Sequence, residues 1–228
     1  MSDIVLIAGT HHGGWYWETI AESLKTHGHR VFTPTLSGLD ATQEHEGSIN
    51  LDTHINDVLS LIVEENISDL VLVAHSYAGM VITGVADRTN AFINRLVFID
   101  AALPAPGQSE WDLNSQWLRD RYVSSTSDGV NIDVPYEFLN YRPRVMPHPL
   151  ATKLQPLFFS QSRLDGINKI YVHAANGFGP GMEHFFEKGY QRALVETNWT
   201  THVLQGGHDL PTECREEIIQ IILEAAKS

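Results

Sequence analysis

The sequence predicts an α/β fold in which a mostly parallel central sheet is flanked by helices. Short apolar runs rich in Val and Ile recur along the chain, and segments with helical spacing separate them. This alternation is typical of a parallel sheet, because each parallel strand needs a crossover connection, usually a helix. Glycines and polar residues directly follow several of the runs, at the strand ends where such sheets gather ligands.

The predicted strands are runs of four or five mainly apolar residues, and the predicted helices have an apolar face at helical spacing. The strands are expected at 4–8, 30–34, 70–74, 96–100, 169–173 and 201–204. The helices are expected at 17–27, 51–65, 80–86, 183–193 and 213–226. No internal repeat interrupts this order.

Composition limits the classes of protein to which the chain can belong. Its 228 residues are 43% hydrophobic, which is enough for one substantial core. The formal charge of −13 argues against nucleic acid or an anionic membrane as partner. The first apolar run is too short for a signal sequence or a membrane span, so a cytoplasmic protein is expected. The single cysteine, Cys214, excludes an internal disulfide.

The segment 103–165 does not fit the strand and helix alternation. It is rich in aromatic residues and prolines, and so long an irregular segment usually has a function. We expect a core domain of residues 1–102 and 166–228, with 103–165 inserted as a lid over the site. Trp111, Trp117 and Phe158 of this segment, together with His11, are predicted to contact an apolar or aromatic substrate. Packing within the lid would produce the same composition.

The predicted nucleophile is Ser76, which lies between an apolar strand and a helix. Ala74 and Ala78 flank it at two residues on either side. Small flanking residues are needed where a serine sits on a sharp strand-to-helix turn, because strand and helix approach closely there. Taken alone, a serine between small residues is weak evidence for a nucleophile, and a serine that caps the helix is the alternative.

A glycine-rich loop follows the first strand and reads GTHHGGW from residue 9. In an acyl-transfer enzyme such a loop supplies one backbone N–H of the oxyanion hole, and the residue after the nucleophile supplies another. The N–H groups of Thr10 and Tyr77 are therefore predicted to hold the oxyanion. A simple cap for the helix that starts near Trp15 is the alternative for this loop.

Two further polar residues follow predicted strands, in an order that matches a catalytic triad. Asp100 ends the strand 96–100, and His208 follows the last strand after two glycines. With Ser76, they stand in the chain order nucleophile, acid, base. His208 would take and return the serine proton, and Asp100 would orient the imidazole. A helix cap for Asp100 and a plain loop residue for His208 are the alternatives.

The segments GTHHGGWYW, AHSYAGM and GGHD, which begin at residues 9, 74 and 206, resemble the α/β-hydrolase superfamily. The resemblance is to the branch of plant methyl esterases, hydroxynitrile lyases and small bacterial esterases. It spans nearly the whole chain outside 103–165, and it implies a central sheet with an inserted lid, an activated serine and no cofactor.

The position of the acid departs from the plant enzymes, in which it follows the strand that matches 169–173. Here the following loop, 174–179, contains no carboxylate. Other members of the superfamily, including haloalkane dehalogenases, place the acid after the preceding sheet strand, and Asp100 matches that position. Asp100 is therefore the predicted acid, and Glu183 is the alternative.

The resemblance and the residues together predict a serine hydrolase for a small carboxylic ester or lactone. Hydroxynitrile lyases of this branch carry a lysine directly after the catalytic histidine, whereas this chain has Asp209, which would repel a developing anion. Lyase or oxygenase chemistry and a non-catalytic ligand receptor remain the alternatives. No metal is expected, because the twelve histidines show no ligand spacing. Apart from the substrate, the one partner that the sequence leaves open is a second copy of the chain in a homodimer.

Overall fold

In a computed structural model, six parallel strands form the central sheet. The structure describes residues 1–42, 48–136, 138, 144–177 and 183–227, although not the side chains of 183–185. The strands of the sheet are β1 (Asp3–Ile7), β2 (Arg30–Phe32), β3 (Leu70–His75), β4 (Ile93–Ile99), β7 (Asn168–Ala174) and β8 (Trp199–Leu204). Their order is β2-β1-β3-β4-β7-β8, and every neighbouring pair is parallel. The predicted fold class is confirmed.

The helices of the core fall close to the predicted segments. A short 3-10 helix over Gly14–Trp17 leads into α1 (Glu18–Thr26). The other long helices are α2 (Leu51–Glu64), α3 (Ala78–Arg88), α8 (Glu183–Val195) and α10 (Arg215–Ala225), and the short helix α9 (Leu210–Glu213) precedes the last of them. Asn50 caps α2 by accepting a hydrogen bond from the N–H of Thr53.

Two layers of helices bury the two faces of the sheet. Successive side chains of a strand point to opposite faces, so Leu6 of β1 packs with α1 and α10. Its neighbour Val5 packs in the other cluster, which contains residues of α2, α3 and α8. Every residue of β1 and β3 is buried. Such fully buried strands explain why these runs are continuously apolar rather than alternating.

The segment 103–165 holds short helices and a small hairpin. Its described helices are α4 (Glu110–Leu113), α5 (Gln116–Ser124), α6 (Ala151–Leu154) and α7 (Gln161–Leu164). The two-residue strands β5 (Asn131–Ile132) and β6 (His148–Pro149) pair antiparallel. The side chains of Leu118, Tyr122 and Ile132 form a small cluster of their own, separate from the two clusters against the sheet. The domain boundaries stay a prediction.

All six parallel strands end at the same edge of the sheet, and the loops that leave this edge carry the predicted site residues. His75 of β3 is level with Ile99 of β4, and Ala174 of β7 is level with Leu204 of β8. The residues that follow these ends therefore converge in space. Within the described ranges, no helix is both long enough and apolar enough to cross a membrane.

Candidate active site

Ser76 occupies a strained turn between β3 and α3. Its φ is +59°, in the left-handed region that non-glycine residues rarely adopt. A Cβ on Gly9 would lie 2.7 Å from Cβ of Ser76, and one on Gly79 would lie 2.0 Å from the carbonyl oxygen of Ala102. Glycine is thus required at both positions, because the backbones approach so closely. Strain held in place by tight packing is typical of a functional site.

Asp100 and His208 form a direct pair at the ends of β4 and β8. His208 Nδ1 lies 2.7 Å from Oδ2 of Asp100. The other carboxylate oxygen accepts a hydrogen bond of 3.3 Å from the N–H of Ala174 and lies 3.7 Å from Nδ1 of His173. Asp100 is fully buried and also has a positive φ, +40°. A buried carboxylate on Nδ1 fixes the imidazole so that Nε2 is its proton-exchanging nitrogen.

Aromatic rings enclose the imidazole of His208. Phe186 stacks on it with ring centroids 4.5 Å apart, and the ring of His75 lies 4.5 Å away at a tilt of 31°. His75 Nε2 donates to the carbonyl oxygen of His208 at 2.9 Å. Tyr16 stacks in turn on His75, with a separation of 5.3 Å. These contacts fix the ring of the predicted base before any substrate binds.

Burial controls the charge of these groups. It raises the pKa of Asp100 to about 7, and the hydrogen bond from Ala174 opposes the shift. Burial also lowers the pKa of His208 well below its ordinary value, while the nearby carboxylate of Asp209 opposes that change. The pKa of His75 is lowered to about 3, chiefly by burial. His208 and His75 are therefore neutral at neutral pH, as a general base must be.

These shifts predict an acid limb in the pH dependence of kcat/KM. Protonation of the buried Asp100–His208 pair removes the proton acceptor, because the reactive form has an ionised Asp100 and a neutral His208. We expect kcat/KM for an ester to fall about tenfold per pH unit below about pH 7 and to level off above it. Initial rates between pH 5 and pH 9 test this. A flat profile over that range would contradict the assignment.

A cavity of about 370 Å³ opens beside these residues. Ser76 and His208 both line it. Its other lining combines aromatic rings with charged and polar side chains. The aromatic members are Tyr16, Trp117, Tyr122, Phe138 and Phe186, the charged members are Glu110, Arg121 and Asp209, and the further polar members are Thr10, His11, His12 and His75. A cavity of this size and character suits a small, mainly apolar ligand.

The four predicted substrate contacts divide into two pairs. His11 and Trp117 line the cavity, whereas Trp111 and Phe158 are not among its lining residues. Trp111 instead packs against the small cluster of Leu118, Tyr122 and Ile132. Phe158 is 78% exposed, because its neighbour Leu157 points into the core and successive side chains of an extended segment point opposite ways.

The two predicted oxyanion residues differ in what they present to the cavity. Thr10 is part of its lining, in the loop where His11 has a φ of +68°. The side chain of Tyr77 points into the protein, where its ring is fully buried and its hydroxyl lies 3.0 Å from Nδ1 of His54. Only the backbone of Tyr77, at the start of α3, remains suited to contact a ligand. The alternative acid, Glu183, begins α8, and its side chain lies outside the described part of the chain.

Several residues of the site were not identified from the sequence. Glu110 lines the cavity and pairs with Lys153, and Phe186 covers His208. Only His75 carried a signal, because it directly precedes the predicted nucleophile. Among the residues that the structure describes, no group of three His, Cys, Asp or Glu side chains is arranged to hold a metal ion.

Comparisons with known proteins find relatives over nearly the whole chain. The model of the alpha/beta hydrolase family matches residues 4–221. A carbendazim hydrolyzing esterase from a Nocardioides species is 32% identical over 240 residues, covering 96% of this chain and 98% of that protein. Methylesterase 10 from Arabidopsis thaliana is 29% identical over 215 residues, covering 92% of this chain and 69% of that protein.

Solved structures share the fold at lower identity. An extracellular alpha/beta-hydrolase from a Paenibacillus species superposes with a TM-score of 0.83 at 20% identity over the full length of both chains. A methylesterase from Arabidopsis superposes with a TM-score of 0.72 at 16% identity over 99% of this chain and 98% of that one. The expected enzyme class, an ester hydrolase, is confirmed. The chain belongs to the alpha/beta hydrolase family, in the branch that contains the plant methylesterases.

Proposed function

We propose that the protein is a serine esterase that cleaves methyl or other small esters of apolar or aromatic acids through an acyl-enzyme. The observation that carries the proposal is the 2.7 Å contact between His208 and Asp100, beside a serine held at a φ of +59°. Both His208 and Ser76 open onto one cavity. These observations support the assignment of Ser76 as nucleophile, His208 as base and Asp100 as acid in acyl transfer.

The proposed reaction has two halves. Oγ of Ser76 attacks the ester carbonyl carbon, and Nε2 of His208 takes the hydroxyl proton. The resulting oxyanion accepts hydrogen bonds from the N–H groups of Thr10 and Tyr77, the second at the N-terminal end of α3. The alcohol leaves with the proton from His208, and the acyl group stays on Ser76. A water molecule then gives one proton to His208 while its oxygen attacks the acyl carbon. His208 returns that proton to Oγ of Ser76 as the bond between Oγ and the acyl carbon breaks, which releases the acid.

The proposed substrate class rests on the cavity and on the relatives. Five Phe, Tyr and Trp side chains line the cavity, so an aromatic or branched acyl group would find apolar contacts there. The named relatives act, by their names, as methylesterases and as a carbendazim hydrolyzing esterase. We infer that residues 103–165, which supply Glu110, Trp117 and Tyr122 to the wall, cover the acyl group as a lid. Lactones of similar size belong to the same proposal.

The carboxylate of Asp209 argues against the lyase alternative. It lines the cavity and accepts a hydrogen bond of 2.6 Å from the hydroxyl of Tyr16. A negative charge fixed beside His208 raises the free energy of a cyanide or other anion that leaves at this point. In the proposed esterase reaction the negative charge forms instead at the N–H groups of Thr10 and Tyr77, and the alcohol leaves as a neutral molecule with the proton from His208.

Turnover and active-site labelling test the proposal together. We expect methyl esters of aromatic acids to be hydrolysed. The same panel tests matched aliphatic methyl esters, lactones and carbendazim. A fluorophosphonate should add once per chain, on the peptide that contains Ser76, as read by mass spectrometry. Ligand binding with neither labelling nor turnover would instead indicate a receptor. Cleavage of a cyanohydrin by a protein that resists the fluorophosphonate would indicate a lyase.

A further inference from the structure

A buried ion pair that the proposed reaction does not use lies next to the oxyanion loop. Lys153 of α6 is fully buried, and its Nζ is 2.7 Å from Oε2 of Glu110 of α4, a residue that is 3% exposed. Burial lowers the pKa of Lys153 and raises that of Glu110, and each charge opposes the shift of the other. Two charges inside a protein cost free energy, which their mutual attraction often fails to repay. The pair therefore calls for a function beyond stability.

The ammonium group contacts both residues whose N–H groups we assign to the oxyanion. Nζ of Lys153 donates to Oγ1 of Thr10 at 2.6 Å. The same nitrogen lies 4.0 Å from the centroid of the Tyr77 ring, within cation–π range. β1 and β3 are paired neighbours in the sheet, but both strands end before Thr10 and Tyr77, so the two N–H groups lie in the turns beyond the paired residues. Lys153 is one group that contacts both side chains.

We propose that Lys153, held by Glu110, is a positioning residue that sets the spacing of the two oxyanion-hole donors and adds positive charge behind them. This inference rests on the proposed function. Oxyanion donors act only when they already point at the developing charge, and displacements of about 1 Å remove much of their effect. The loop beside Thr10 is held from the lid side by hydrogen bonds from the N–H of Met146 to the carbonyl oxygen of His11 and from the N–H of His11 to Nδ1 of His148. A hydrogen bond to the Thr10 side chain restrains it from the inner side.

A purely structural role is the rival explanation, because the pair also joins α4 to α6. The chain offers a matched control in Lys169, a second buried lysine that is 4% exposed. Its Nζ donates to the carbonyl oxygens of Leu164 and Ile167, both at 2.8 Å, and none of these residues lines the cavity. Lys169→Met therefore removes a buried ammonium without touching the oxyanion loop.

The test compares Lys153→Met, Lys169→Met and Thr10→Val in kcat, KM and thermal unfolding. We expect Lys153→Met to lower kcat about 10²-fold to 10³-fold, with KM changed by less than threefold, because the donors act on the transition state. Lys169→Met should lower Tm and leave kcat within twofold of the wild type. The inference would be overturned if Lys153→Met lowered Tm but left kcat unchanged, or if it changed only KM.

Thr10→Val covers the case in which Lys153→Met does not fold. It keeps the Thr10 N–H and the branched shape while it removes Oγ1, the acceptor of the 2.6 Å bond. We expect kcat to fall at least tenfold, and a kcat within twofold of the wild type would overturn the inference. Wild-type labelling by the fluorophosphonate separates the two proposals. If the wild type is not labelled, the proposed function fails, whereas unchanged variants of a labelled wild type refute only the role of Lys153.

Discussion

Replacement of Ser76 by alanine is expected to lower kcat for a methyl ester by about 10⁶-fold, as loss of a triad serine does in other hydrolases. The variant keeps the cavity and the His208–Asp100 pair, but no atom remains that can carry the acyl group. Substrate binding should persist, because the aromatic wall is untouched. Progress curves at high enzyme concentration measure the residual rate, and isothermal titration with a slowly hydrolysed ester measures the binding.

Ser76→Gly provides a second variant with a different stability. Both variants lack the nucleophile, but only glycine adopts a φ of +59° without strain. The relief of this strain should outweigh the free-energy cost of the extra conformational entropy that glycine has in the unfolded chain. We therefore expect the free energy of unfolding of Ser76→Gly to be about 1 kcal/mol higher than that of Ser76→Ala. For a chain of this size that corresponds to a rise of about 2–4 °C in Tm. A Ser76→Ala enzyme with more than a hundredth of the wild-type kcat would contradict the assignment of the nucleophile.

The core of the site was predictable because its residues follow strand ends. Ser76, Asp100 and His208 each stand just after an apolar run, and parallel strands bring such positions to one edge whatever their exact register. The contact between Asp100 and His208 depends in addition on the order of the strands in the sheet. That His208 meets Asp100 follows because β4 and β8 flank the same strand, β7. Local patterns therefore predicted the edge of the sheet at which these residues lie, and the strand order decided which of them meet.

The wall of the cavity was not predictable in the same way. Residues 103–165 lack a repeating pattern, so long-range contacts decide whether each side chain faces the core or the solvent. Leu157 and Phe158 are both large and apolar, yet one lies in the core and the other is exposed. Lys153 stands between a threonine and a leucine, and nothing nearby in the sequence indicates burial. Its partner Glu110 comes from another helix, so only the folded chain shows the pair.

Replacement of Asp100 by asparagine is expected to lower kcat by about 10³-fold to 10⁴-fold. Asparagine has nearly the same shape, but it can present an N–H where Nδ1 of His208 now meets a carboxylate oxygen at 2.7 Å. The imidazole would then favour the wrong tautomer, and the positive charge that forms on it during attack would lose its counter-ion. Fluorophosphonate labelling of Ser76 should slow in parallel, because it requires the same proton transfer.

The fold should tolerate this change. Burial raises the pKa of Asp100 above its ordinary value, so the ionised form is less favourable in the folded state than in the unfolded chain. Above about pH 7 that cost is fully present, and a neutral asparagine removes it. We therefore expect Asp100→Asn to unfold at a Tm no lower than the wild type at pH 8. A large loss of Tm would instead indicate that the fall in kcat comes from a folding defect.

Glu183→Gln is the matched control, since Glu183 is the alternative acid. If Asp100 is the acid, this variant should keep kcat within about threefold of the wild type and keep the acid limb near pH 7. The limb should move to lower pH in Asp100→Asn, because the Asp100 carboxylate no longer takes up a proton and burial lowers the pKa of His208, although Asp209 opposes that change. A Glu183→Gln enzyme that loses more activity than Asp100→Asn would transfer the role to Glu183. The acid would then follow β7, where the plant enzymes have theirs.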